Sequence, residues 1–237
     1  MKQEYYIKPP TSFRKVLNAT ELPEVSTYRR FLITLLRYNQ QLNNSFGILN
    51  ERGYQLGKLH LIRMFCDSIF TIYAATITDT KDTFLNRFLM GKPTNNQKKD
   101  GIQLTTNKVK VLCNEKYEGI AALYDECNRY VHPSYFFKLD KASIKELPDE
   151  VLEEYADFWF KRPTNIKKHK DKIEFIFLVL NNIFYDAVVE WYNEVVVPAC
   201  SNCQTIKKGK KVSIKTITYN AYKEWAKATN SDDVQDS

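Results

Sequence analysis

Glycine is scarce, at seven residues in 237, which leaves little material for the many tight turns of an all-β fold. Long hydrophobic runs are missing as well. No stretch of about 18 apolar residues occurs, the length a membrane span needs. The nearest candidate, 175–197, is interrupted by Asn181, Asn182, Asp186, Glu190 and Glu194, a pattern that reads as a buried amphipathic helix. The opening MKQEYYIKPP has no apolar core of the kind a signal peptide carries. Cysteine is limited to five residues, an odd number at irregular spacing, so reduced thiols in a cytoplasmic protein with no membrane partner are expected. A phosphate-binding glycine loop, paired catalytic carboxylates and an oriented serine triad are all missing, and no cofactor is expected.

Aromatic residues are abundant, with 15 Tyr and 14 Phe, and apolar residues make up 43% of the chain. That composition and length suit one helical domain with additions, or at most two small domains. The net charge is +7, and it is unevenly placed. Residues 161–172 hold six Lys or Arg against one Asp, and residues 205–227 hold seven Lys against one Glu. Two basic segments on a near-neutral body suit RNA or another polyanion, while a solvated surface would look the same. Lys167, Lys168, Lys170, Lys172, Lys207, Lys208, Lys210 and Lys211 are the side chains placed to hold a nucleic-acid backbone.

Along the chain, residues 1–22 read as an irregular arm, since Pro9-Pro10 blocks helix. A first helix is expected from about Pro23 to Asn50, with its apolar stripe at Phe31, Leu32, Leu35, Leu36, Leu42 and Phe46. The second, Tyr54–Ile77, is apolar nearly all round and belongs at the centre of a bundle. A short third helix, about Thr80–Met90, ends at Gly91, and 92–107 reads as a polar loop. A fourth, about Lys108–Val131, stops before Pro133. Pro148 opens another through Trp159, and the last long helix runs from about Asp171 to Val197 ahead of Pro198. The expected fold is all-α: a helical bundle of five to six helices over 23–197, with a basic C-terminal extension at 198–227. Thr205–Ile206 and Val212–Thr218 flank Lys-Lys-Gly-Lys-Lys as a short β-hairpin pattern. Residues 228–237 read as a disordered acidic tail.

Three groups of residues bear chemistry. Arg63 and Asp67, four apart on the buried helix, either pair with each other or face a polar pocket. The stretch CNRYVHPS, Cys127–Ser134, holds His132 at the end of a helix. This His is either a helix cap bonded to Asp125, Asn128 or a neighbouring helix, or an acid/base group titrating near neutral pH. Tyr124, Tyr130 and Tyr135 around it either stack bases or pack in the core. Cys200-x-x-Cys203 is half of a zinc site with no second pair following it, so a surface thiol pair is the default; Cys113, Cys66, His169 or a partner chain would have to complete a metal site.

The segments LHLIRMFCDSIFTIYAA, with Arg63 and Asp67, and LYDECNRYVHPS, with Asn128, His132, Pro133 and Ser134, together with the long last helix, resemble the HEPN superfamily over roughly residues 25–195. More narrowly they look like a group of HEPN-like bacterial helical-bundle proteins. The resemblance implies a metal-independent endoribonuclease acting as a homodimer, in a bacterial defence or toxin–antitoxin module with a cognate antitoxin or partner protein. The family motif is an Arg, then a polar residue such as Asn, then a His a few residues on, and these assist attack of a ribose 2′-hydroxyl on the adjacent phosphate. Asn128 and His132 match the polar position and the histidine. Cys127 stands where the arginine is expected. Arg63 would supply that charge if its helix packs alongside, and Arg129 is the other candidate phosphate clamp. Cys127 also favours a different reading, a non-catalytic helical module for dimerisation or for binding a protein or nucleic acid. A third reading is a small-molecule enzyme with a polar pocket around Arg63, Asp67 and His132.

Overall fold

A computed structural model describes residues 16, 18, 22–52, 54–131 and 172–206. Its described residues hold six α-helices and one two-stranded sheet. In chain order these are α1 (Ser26–Glu51), α2 (Gln55–Ile77), α3 (Lys81–Leu89), β1 (Lys98–Lys99), β2 (Ile102–Gln103), α4 (Thr106–Lys116), α5 (Ile120–Val131) and α6 (Lys172–Trp191). The all-α expectation holds at this level. Among the described residues, no helix is long and apolar enough to cross a membrane.

Helix α2 is the axis of the bundle. It packs against α1, α3, α4, α5 and α6, most extensively against α6. This follows from its composition: Ile62, Phe65, Cys66, Ile69 and Ile72 are fully buried, and a helix apolar on all sides gains most when every side is covered. Aromatic rings link the layers. Phe177 of α6 stacks on Phe46 of α1 at 3.9 Å and meets Phe65 of α2 edge-on at 5.0 Å. Phe31 of α1 lies 4.9 Å from Phe88 and 5.2 Å from Trp191. Within the stretch read as an irregular arm, Val16 and Asn18 are helical, and Val16 is fully buried and belongs to the core.

Three further expectations are corrected. The polar loop 92–107 contains the β1–β2 hairpin, paired Lys98 to Gln103 and Lys99 to Ile102. Asp100 and Gly101 form its turn with φ of 50° and 78°, the left-handed geometry that Asp-Gly favours. The hairpin docks on the end of α2, where the Asp79 N–H donates to Lys98 O at 2.8 Å. The single helix expected over Lys108–Val131 is two. It begins at Thr106, with the Thr105 hydroxyl accepting from the Lys108 N–H, and it breaks after Lys116. Gly119 takes φ 96°, and the N–H groups of Gly119 and Ala121 both donate to Asn114 Oδ1 at 2.9 and 3.1 Å. These bonds satisfy backbone donors that a helix start would otherwise leave open. Finally, the last helix does not run unbroken to Val197. It widens into a π turn over Tyr192–Val196 and tightens into a 3-10 turn over Val197–Ala199. Pro198 has no N–H to offer the Glu194 carbonyl, so α-helical bonding cannot continue through it.

The helix expected at 148–159, the basic segment 161–170, the pattern beyond Ile206 and the acidic tail lie outside the described residues.

Candidate functional site on the face between α2 and α5

Arg63 sits two turns into α2, on the side that α5 covers. Its Nε donates to Asn128 Oδ1 at 3.0 Å, and its Nη2 donates to the Tyr124 hydroxyl at 3.3 Å. Both partners come from α5, and their spacing of four residues puts them on one face of that helix. Arg63 Nη1 stands 3.5 Å from Asp67 Oδ2 within α2. The Tyr124 hydroxyl and the Asp67 carboxylate also shift each other's ionisation. The result is a polar cluster in which the arginine faces the aspartate and donates to the tyrosine and the asparagine. The guanidinium carbon lies 5.3 Å from the centre of the Tyr124 ring, and Lys110 Nζ from α4 lies 5.9 Å from it. Phe70 packs on the same ring at 5.3 Å and fixes its plane.

The cluster is open to solvent. The Arg63 and Asp67 side chains are 30% and 40% exposed. Partial burial still pushes the Asp67 carboxyl above its ordinary range, with Arg63 and the Tyr124 hydroxyl opposing. Burial, followed by the Asp67 charge, raises the hydroxyls of Tyr124 and of Tyr38 on α1, with Arg63 opposing in both. Both phenols therefore stay protonated near neutral pH. Chemically, this face offers an oriented cation, an amide, two neutral hydroxyls and one carboxylate.

Arg63, Asp67 and Asn128 are thus brought together. Tyr124, weighed in the sequence between base stacking and core packing, packs its half-buried ring on Phe70 at the edge of the core, and its hydroxyl belongs to the polar cluster. Asp125, a candidate partner for His132, pairs with Lys110 at 2.6 Å. Cys127 faces the core at 1% exposure, and burial pushes its thiol up to about 12. The helix therefore turns position 127 away from this face. Arg129 lies on α5, but its side chain is outside the described residues, as are His132, Lys167, Lys168, Lys170, Lys207, Lys208, Lys210 and Lys211. Lys172 is the first residue of α6.

Two participants were not found from sequence. Tyr38 had a signal, because it continues the stripe Phe31, Leu35, Leu42 at spacings of four, three and four. Lys110 had none: nothing local to α4 says that this side chain lies beside the Tyr124 ring of α5.

The cysteine reading changes. Cys200 and Cys203, expected as surface thiols, form a disulfide with Cα atoms 5.4 Å apart, and Cys200 is buried. The turn at Pro198 folds residue 200 back onto the bundle. Cys66, Cys113 and Cys127 are free and buried. Among the described residues, no group of His, Cys, Asp or Glu is arranged to hold a metal ion.

No family model, no curated protein and no solved structure matches this chain.

Proposed function

We propose that the chain is an RNA-directed, HEPN-like protein, a metal-independent endoribonuclease of a bacterial defence or toxin–antitoxin module that works as a homodimer. The observation that carries this reading is the Arg63–Asn128 hydrogen bond, 3.0 Å across α2 and α5. It puts a cation beside the polar residue of the motif, where Cys127 leaves the motif without its own arginine. In this reading Arg63 binds the scissile phosphate by charge-assisted hydrogen bonds. Asn128 and Asp67 hold its guanidinium in place. His132, four residues after Asn128, moves the proton of the 2′-hydroxyl or of the leaving oxygen. Arg129 and the lysines of the two basic segments hold the backbone without reading sequence.

The test is digestion of bulk cellular RNA by the purified protein in EDTA, with His132→Ala and Arg63→Ala alongside. Cleavage by the wild type that is lost in both variants, while both stay folded by circular dichroism, is the expected result. Retained cleavage in His132→Ala ends the assignment.

One observation favours a second reading, the non-catalytic binding module. Asp67 already faces Arg63 at 3.5 Å, so the guanidinium enters any complex partly neutralised. A wild-type protein that shifts RNA or a partner protein on a gel, and leaves RNA intact, selects this reading.

A further inference from the structure

The turn after α6 carries a second chemistry, independent of the face between α2 and α5. The Cys200 N–H donates to Val197 O at 3.3 Å and the Cys203 N–H to Cys200 O at 3.5 Å, which winds the two sulfurs together. The two cysteines differ in access. Cys200 is 7% exposed, whereas Cys203 is half-buried at the edge of the core. Glu24, from the 3-10 turn Pro23–Val25 ahead of α1, reaches across the chain to this turn. Its Oε1 lies 3.2 Å from Cys200 Sγ and accepts from Ser201 Oγ at 3.4 Å.

A carboxylate oxygen against a disulfide sulfur has no proton to accept. Against the thiol of the reduced pair, the same position makes an S–H···O hydrogen bond. The same geometry therefore serves either covalent state of the pair. We propose that Cys200 and Cys203 are a thiol–disulfide exchange site for low-molecular-weight disulfides such as glutathione disulfide, with Glu24 as the proton acceptor of Cys200.

Starting from the dithiol, the accessible Cys203 thiolate attacks one sulfur of glutathione disulfide. The glutathione S–S bond breaks, a mixed disulfide forms on Cys203, and one glutathione thiolate leaves with the proton Cys203 gave up. Cys200 then passes its proton to Glu24 Oε1 and attacks Cys203 Sγ. The mixed disulfide breaks, and the second glutathione thiolate leaves and takes that proton. Two electrons pass from the cysteine pair to one glutathione disulfide, giving one protein disulfide and two glutathiones.

The test uses the full-length protein, reduced, treated with glutathione disulfide, quenched by alkylation and mapped by peptide mass. The wild type is expected to close the 200–203 disulfide. Cys200→Ser is expected to trap glutathione on Cys203, while Cys203→Ser leaves residue 200 largely unmodified. Glu24→Gln is expected to slow closure by about tenfold or more, with the melting temperature unchanged. Failure of the wild type to close the pair overturns the proposal, and so does a Glu24→Gln closure rate equal to that of the wild type. If a cysteine variant does not fold, the time courses of the wild type and Glu24→Gln decide alone.

Discussion

Arg63 and Asn128 are 65 positions apart in the chain and meet through one hydrogen bond, Nε to Oδ1, at 3.0 Å. Neither residue needs the other for its own helix, so the bond reports how α2 and α5 are set against each other. Arg63→Ala is expected to lower stability by about 1–2 kcal/mol, the usual range for bonds to a charged donor reduced by its solvent exposure. In a double-mutant cycle with Asn128→Ala, the two losses are expected to fall short of additivity by about 0.5–1 kcal/mol in urea unfolding. Strict additivity would mean that the two side chains do not meet.

Asp67 gives this face a pH signature. Burial holds its folded carboxyl above the ordinary value of 3.8, against the pull of Arg63 and Tyr124. As pH rises through 3.8 the unfolded chain loses its proton first, so the native state binds more protons and stability falls until the folded carboxyl ionises too. That loss persists at higher pH. Asp67→Asn does not have it. The stability of the wild type relative to Asp67→Asn is therefore expected to drop as pH rises from below 3.8 through the carboxylate range. A difference that grows with pH in denaturant melts would contradict the burial argument.

Gly119 decides that α4 and α5 are separate helices. At φ 96° it holds a conformation that costs a side-chain-bearing residue about 1–2 kcal/mol. Gly119→Ala is expected to lose that much stability, and Asn114→Ala to lose about 1 kcal/mol by removing the acceptor for two N–H groups. A Gly119→Ala protein as stable as the wild type would indicate one continuous helix.

The amides of Asn43 on α1 and Asn181 on α6 bond reciprocally, at 3.1 and 2.9 Å, beside the buried Asn39. Asn181→Ala leaves its partner's amide without this bond in a covered seam, and a loss of about 1–3 kcal/mol is expected. The double variant with Asn43→Ala is expected to cost less than the sum of the singles, read by thermal and urea unfolding.

Local pattern was enough for much of the fold. The uninterrupted apolar surface of Tyr54–Ile77 can be covered only by surrounding it, so a central helix follows from that segment alone. Phe31, Leu35 and Leu42 likewise mark the buried stripe of α1, and Pro198 marks where the last helix cannot continue. For the candidate site, the sequence supplied Arg63 and Asp67 on one turn and Asn128 on another helix. It contained nothing that said those turns face each other.

That relation belongs to tertiary structure. The azimuth of α5 about its own axis is set by Gly119, by the Asn114 cap and by Tyr117, buried with its hydroxyl donating to Asp186 at 2.9 Å. Those contacts turn Cys127 inward and Tyr124 and Asn128 outward. Periodicity is blind to such a choice, because rotating an amphipathic helix by a fraction of a turn keeps its pattern and changes its neighbours. The same holds for Glu24 and Cys200, 176 positions apart: only closing the bundle puts a carboxylate beside that sulfur. The sequence by itself determined most of the helical segments and their apolar faces, because those depend on neighbours within a turn. Which polar groups meet was decided by packing, because it depends on the angles at which the helices settle.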